Sequence, residues 1–94
     1  MSALNKDVIE NLLNDLDGWN YSDNQIQKEF EFKDFVEASS FVQSVAFEAE
    51  KMDHHPDILI HSWNKVKVSI STHSEGGVTE KDFNLAKKIE ARFK

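Results

Sequence analysis

Pro56 is the only proline in the chain, and it stands just behind the longest helical stripe in the sequence. Ala38, Phe41, Val42, Val45, Ala46, Ala49 and Met52 recur at helical spacing, which predicts one long amphipathic helix. Asp34 is placed to cap its start, with Glu37 at the reciprocal position of a capping box. The helix must end by His55, because the residue before a proline is driven out of the helical region.

The other elements arrange themselves around this one. Val8, Ile9, Leu12, Leu13 and Leu16 predict a first helix of about three turns, closed by Asp17-Gly18. Ile26, Lys28, Phe30 and Phe32 alternate with polar residues and read as a strand, with Trp19 to Tyr21 as its hairpin partner across Ser22-Asp23-Asn24. Ile58 to Trp63 and Val66 to His73 read as two more strands joined through Asn64-Lys65. In the second, Val66, Val68, Ile70 and Thr72 share one face while Lys67, Ser69, Ser71 and His73 share the other. After the loop Ser74-Glu75-Gly76-Gly77, Thr79 caps a last helix with Asp82 reciprocal to it, and Leu85, Ala86, Ile89 and Phe93 face inward. The order is α-β-β-α-β-β-α. It predicts an α+β fold: a single domain over residues 1–94 with a four-stranded antiparallel sheet covered by helices on one face.

A domain of 94 residues has a thin core, burying roughly 60–65% of the surface its unfolded chain exposes. Association with other copies is a natural source of further burial, and seven Phe, two Trp and one Tyr supply surface for it. A formal net charge of -6 disfavours binding to nucleic acid or an anionic membrane. The absence of cysteine excludes disulfides, thiolate nucleophiles and cysteine-based metal sites. No apolar run approaches bilayer length, and the first residues do not form a secretory signal. A soluble, cytoplasmic protein is expected.

The chemistry concentrates in Asp53-His54-His55-Pro56 and in His73 downstream. Histidine is the side chain whose ordinary titration lies near physiological pH, so three imidazoles around one cleft suggest proton transfer. Glu50 and His54 are four apart and would share a helix face, near a helix end that favours positive charge. Asp53, His54, His55, His61 and His73 are all chemically able to ligate a metal, but the spacing is not that of two histidines on one helical face, and no metal is expected. Asp82 is explained as the capping partner of Thr79, His61 as a surface or interface residue, and Trp19 and Trp63 as packing residues before ligand platforms.

Glu50-x-x-x-His54-His55-Pro56, the aromatic Trp63, His73 and Asp82 resemble the signature of the pterin-4a-carbinolamine dehydratases. Gly18-Trp19, Phe30-x-Phe32-x-x-Phe35-x-x-Ala38-x-x-Phe41, Val45-Ala46-x-x-Ala49-Glu50, Trp63-Asn64-Lys65-Val66, Thr72-His73 and Gly76-Gly77-Val78-Thr79 extend the likeness from about Leu12 onward. Pro56 to Trp63 takes the longer of the family's two spacings, and Trp63 stands where animal members tend to have tyrosine. The resemblance implies the same α-β-β-α-β-β-α fold, assembly as homodimers or homotetramers, and no cofactor or metal. It implies loss of water from a 4a-hydroxytetrahydropterin to give the quinonoid dihydropterin, which recycles tetrahydrobiopterin. By resemblance His54, His55 and His73 are the catalytic residues. His55 and His73 are taken as the acid–base pair, and His54 as the residue that orients or shares protons. Glu50 and Asp53 would bind the amino-pyrimidine edge or hold an imidazole, and Trp19 would wall the pocket by stacking. The competing reading is a protein-binding module. Animal relatives serve as dimerisation cofactors of a homeodomain transcription factor, but no residue here transfers that role.

Overall fold

A computed structural model describes residues 2–93; Met1 and Lys94, the ends of the expected domain, lie outside that range. The elements are α1 (Lys6–Leu13), β1 (Asn20–Ser22), β2 (Gln25–Glu31), α2 (Phe35–Met52), β3 (Asp57–His61), β4 (Lys65–Ile70), a 3-10 turn (His73–Glu75) and α3 (Glu80–Phe93). This is the α+β order expected. The strands form one antiparallel sheet in the order β1-β2-β4-β3.

Alternation along the strands explains the layering. Ile26 and Phe30 of β2 and Val66, Val68 and Ile70 of β4 are buried in one cluster with Ala38, Phe41, Val45 and Ala49 of α2 and Leu85, Ala86 and Ile89 of α3. Each large aliphatic or aromatic side chain removed from water contributes roughly 1.5–3 kcal/mol. Lys28 falls between Ile26 and Phe30 on the same strand face, where a bare charge would be costly. Its Nζ lies 2.6 Å from Glu90 Oε2, donates to the Asp17 carbonyl at 2.8 Å and sits 4.8 Å from the Phe30 ring centroid. On the helix pair, Arg92 of α3 clasps Glu48 of α2 through Nε at 2.8 Å and Nη2 at 2.7 Å. Hydrogen bonding from Arg92 holds the Glu48 carboxyl below its ordinary range. Burial opposes that shift, and the nearby charges of Lys51 and Arg92 assist it.

The structure departs from expectation at four points. β3 ends at His61 and joins β4 through Ser62-Trp63-Asn64, with Lys65 already in the strand, not through Asn64-Lys65. The first helix ends at Leu13 rather than Leu16, because the next bonds tighten to Asp15 N–H on Leu12 and Leu16 N–H on Leu13. Asn14 and Asp15 are weak helix formers, and an acid at a helix C-terminus opposes the helix dipole. The last strand stops at Ile70, and His73 begins the 3-10 turn instead of ending a strand. Trp63 does not pack: it is 66% exposed at the β3–β4 turn, where Ser62 and Trp63 both have positive φ (52° and 55°). A tight hairpin turn of that hand turns its central side chains outward from the sheet.

Candidate active site

The sheet register brings the expected site to one end of the molecule. Asp57 pairs with Ser69 and Ile58 with Val68, so His54-His55-Pro56 enters β3 at the same end where Ser71-Thr72-His73 leaves β4. Ile26 pairs with Ile70, which places the β1–β2 turn there too.

Asp53 is what frees the two histidines from the helix. It adopts the left-handed conformation (φ 51°, ψ 45°) at the C-terminus of α2, which Asp tolerates better than most residues. Its N–H bonds to the Glu50 carbonyl at 3.1 Å, and the His54 N–H bonds to the Ala49 carbonyl at 3.0 Å. These two bonds make a Schellman motif, and they satisfy carbonyls the helix would otherwise leave open. Beyond it the chain runs in a new direction, so helical spacing no longer decides which side chains meet. Glu50 was expected to share a face with His54, but it reaches His55 instead: Oε1 lies 2.8 Å from His55 Nε2. Both side chains are mostly in solvent, 58% and 79% exposed.

His54 turns inward. Its Nε2 lies 2.5 Å from Asp82 Oδ1, with the two side chains 11% and 0% exposed. The other carboxylate oxygen, Oδ2, accepts the Thr79 N–H at 2.8 Å and the Thr72 hydroxyl at 3.0 Å. A buried carboxylate without donors would cost several kcal/mol; this one has three. A carboxylate only accepts, which assigns the hydrogen of the pair to His54 Nε2. In the neutral ring Nδ1 then carries the lone pair, and no hydrogen bond among the described residues engages it. Asp82 does cap α3 as expected, but the role proves wider: the same carboxylate holds an imidazole.

His73 is exposed at the start of the 3-10 turn. It lines an open cleft of ≈ 250 Å³ with Asp23, Asn24, Gln25, Ser71, Gly76 and Gly77. Its neighbour Thr72 and His54 meet at Asp82, on opposite carboxylate oxygens. No hydrogen bond among the described residues links the three imidazoles to one another. His61 pairs with Glu29 across the sheet at 2.6 Å, in keeping with a surface residue.

Trp19 is placed otherwise than expected for a pocket wall. It is 6% exposed, packs edge-on to Phe30 at 6.1 Å between centroids, and donates Nε1–H to Glu90 Oε2 at 2.7 Å. Its ring is committed to the core, with no face free to stack on a ligand. Asp53 is exposed, and no side-chain bond engages it among the described residues. Thr72 joins the site without being among its expected residues. Its apolar-face register with Val66, Val68 and Ile70 is legible in the sequence, but not the carboxylate its hydroxyl meets. No group of three or more His, Asp or Glu among the described residues is placed to hold a metal ion, and no helix among them is long and apolar enough to cross a membrane.

Residues 2–92 match the family model described as Pterin 4 alpha carbinolamine dehydratase. A Sulfolobus acidocaldarius protein, named provisionally as a pterin-4-alpha-carbinolamine dehydratase, is 49% identical over 86 residues, covering 92% of this chain and 93% of its own. A Roseiflexus castenholzii protein of the same provisional name is 50% identical over 91 residues, covering 96% and 97%. A crystal structure described as a transcriptional coactivator/pterin dehydratase from Brucella melitensis superposes with a TM-score of 0.93 at 40% identity, over 99% of this chain and 100% of that one. A pterin dehydratase-like protein described as a RuBisCO assembly factor in the alpha-carboxysome shares the fold, at a TM-score of 0.65 and 17% identity over 80% of this chain and 86% of that one.

Proposed function

The chain belongs to the pterin 4 alpha carbinolamine dehydratase family, whose members are hydro-lyases, and on that premise we propose a division of labour among its histidines. The substrate is a 4a-hydroxytetrahydropterin and the product the quinonoid dihydropterin, in recycling of a tetrahydrobiopterin-type cofactor. The ring C–O bond breaks, and its electron pair leaves with a hydroxyl that is protonated to water. A ring nitrogen loses a proton, and its N–H electron pair becomes part of a C=N bond.

One observation carries the assignment of the base: His54 alone is backed by a buried carboxylate, at 2.5 Å. With Nε2–H held by Asp82, Nδ1 is the atom offered to the ring proton, and Asp82 stabilises the positive charge that arrives with it. His55 and His73, both exposed, face the leaving hydroxyl and return a proton to it; Glu50 orients His55 through the 2.8 Å contact. This differs from a His55–His73 pair served by His54, because neither of those rings has a buried partner. Asp53 remains the candidate for the amino-pyrimidine edge, and a wall role for Trp19 is set aside. Self-association belongs to the same reading, supported by Val36 (71% exposed) and Phe47 (57%) on α2 and Leu59 (56%) on the edge strand β3. Sedimentation equilibrium returning only the monomer mass would remove that part.

The test is turnover of a synthetic 4a-hydroxytetrahydropterin by the purified protein and by His54→Ala. Activity equal in the two would overturn the assignment, and a wild type that turns over no pterin would overturn the function.

A further inference from the structure

Thr72 is 6% exposed and is tied through both backbone and side chain. Its N–H reaches the Gly77 carbonyl at 2.8 Å, which closes the loop that carries His73. Its hydroxyl lies 3.0 Å from Asp82 Oδ2 and 2.8 Å from Thr79 Oγ1. Counting hydrogens gives these bonds a direction. Asp82 only accepts, so Thr72 gives its single hydroxyl hydrogen to Oδ2. Thr79 must then give its own to Thr72, while its oxygen accepts the Lys81 N–H at 3.2 Å. The donors run in one line from Lys81 through Thr79 and Thr72 to Asp82, with no hydroxyl free to reverse. With Oδ2 held twice, Oδ1 is left to His54.

Helix capping explains only part of this. A capping box needs Thr79 and Asp82; it has no use for a second hydroxyl from the end of another element. Without Thr72, Oδ2 would keep only the Thr79 N–H, and the carboxylate could turn about its last torsion, a soft one.

We propose that Thr72 is a positioning residue: its hydroxyl locks the Asp82 carboxylate so that His54 keeps its hydrogen on Nε2 and presents Nδ1, while its backbone anchors the His73 loop. The proposal rests on the reading of His54 as the base, and it acts through Asp82 without touching substrate.

Thr72→Val keeps the shape and removes the hydroxyl; Thr72→Ser keeps the hydroxyl. In the wild type, nitrogen NMR of the His54 ring should show the neutral form as the Nε2–H tautomer. In Thr72→Val the two ring nitrogens become averaged, and kcat falls by about tenfold, the size expected for one lost hydrogen bond to a charged group, with KM unchanged. Thr72→Ser restores both. A Thr72→Val protein with the wild-type ring signature and kcat overturns the proposal. So does a wild-type His54 carrying its hydrogen on Nδ1, which decides the matter even if Thr72→Val fails to fold. If the wild type turns over no pterin, the dehydratase reading falls on that result, and the tautomer of the two Thr72 variants still decides the role of Thr72.

Discussion

Glu50 hydrogen-bonds His55, five residues on, and leaves His54 to a carboxylate 28 residues away. The two adjacent imidazoles therefore have unlike surroundings. One is paired in solvent, where a carboxylate contact is worth little. The other is paired in the interior, where losing the partner is costly.

Asp82→Asn should separate these cases. The amide keeps the volume but places a neutral group against His54, removing the charge that balances a protonated ring. Turnover should fall by roughly 10²–10⁴, the range of one positioned proton transfer, with a lower melting temperature as well. Steady-state kinetics beside a thermal melt checks both; turnover within experimental error of wild type would contradict the role of Asp82.

Glu50→Gln should be mild. The pair is 58% and 79% exposed, so melting should be unchanged and turnover should fall by less than about tenfold. A loss as large as that of Asp82→Asn would mean that His55, and not His54, depends most on its carboxylate.

Acid should loosen the α2–α3 contact through Glu48. Its carboxyl is held below the ordinary range, first by hydrogen bonding from Arg92. A depressed folded-state value means the unfolded chain binds the proton more readily. The stabilisation is therefore complete above the ordinary carboxylate value and is lost as pH falls through the depressed one. Denaturant midpoints measured from roughly pH 6 to pH 3 should fall less steeply for Glu48→Gln than for wild type. Parallel curves would show that the contact carries no pH dependence.

Trp19→Phe tests the core assignment of the indole. It removes Nε1–H from Glu90 and keeps most of the ring contact with Phe30. Stability should fall by about 1–2 kcal/mol, read as a shift in denaturant midpoint, with KM for pterin unchanged. A large rise in KM with stability intact would return Trp19 to the binding site.

What the sequence determined by itself was local. The stripe from Ala38 to Met52, its cap at Asp34, the alternation of Val66, Val68 and Ile70 and the Thr79–Asp82 box all became the elements they predict. Each depends on neighbours a few residues apart, within one helical turn or one strand. The tertiary structure decided the rest. A single left-handed residue, Asp53, redirected the chain and exchanged the partner of Glu50. Sheet register and the packing of α3 brought Asp82 to His54 and Thr72. Two tryptophans of equal apolarity ended in opposite places, Trp19 at 6% exposure and Trp63 at 66%. Burial of an aromatic is settled by which surfaces close around it, and that depends on contacts between elements distant in the chain.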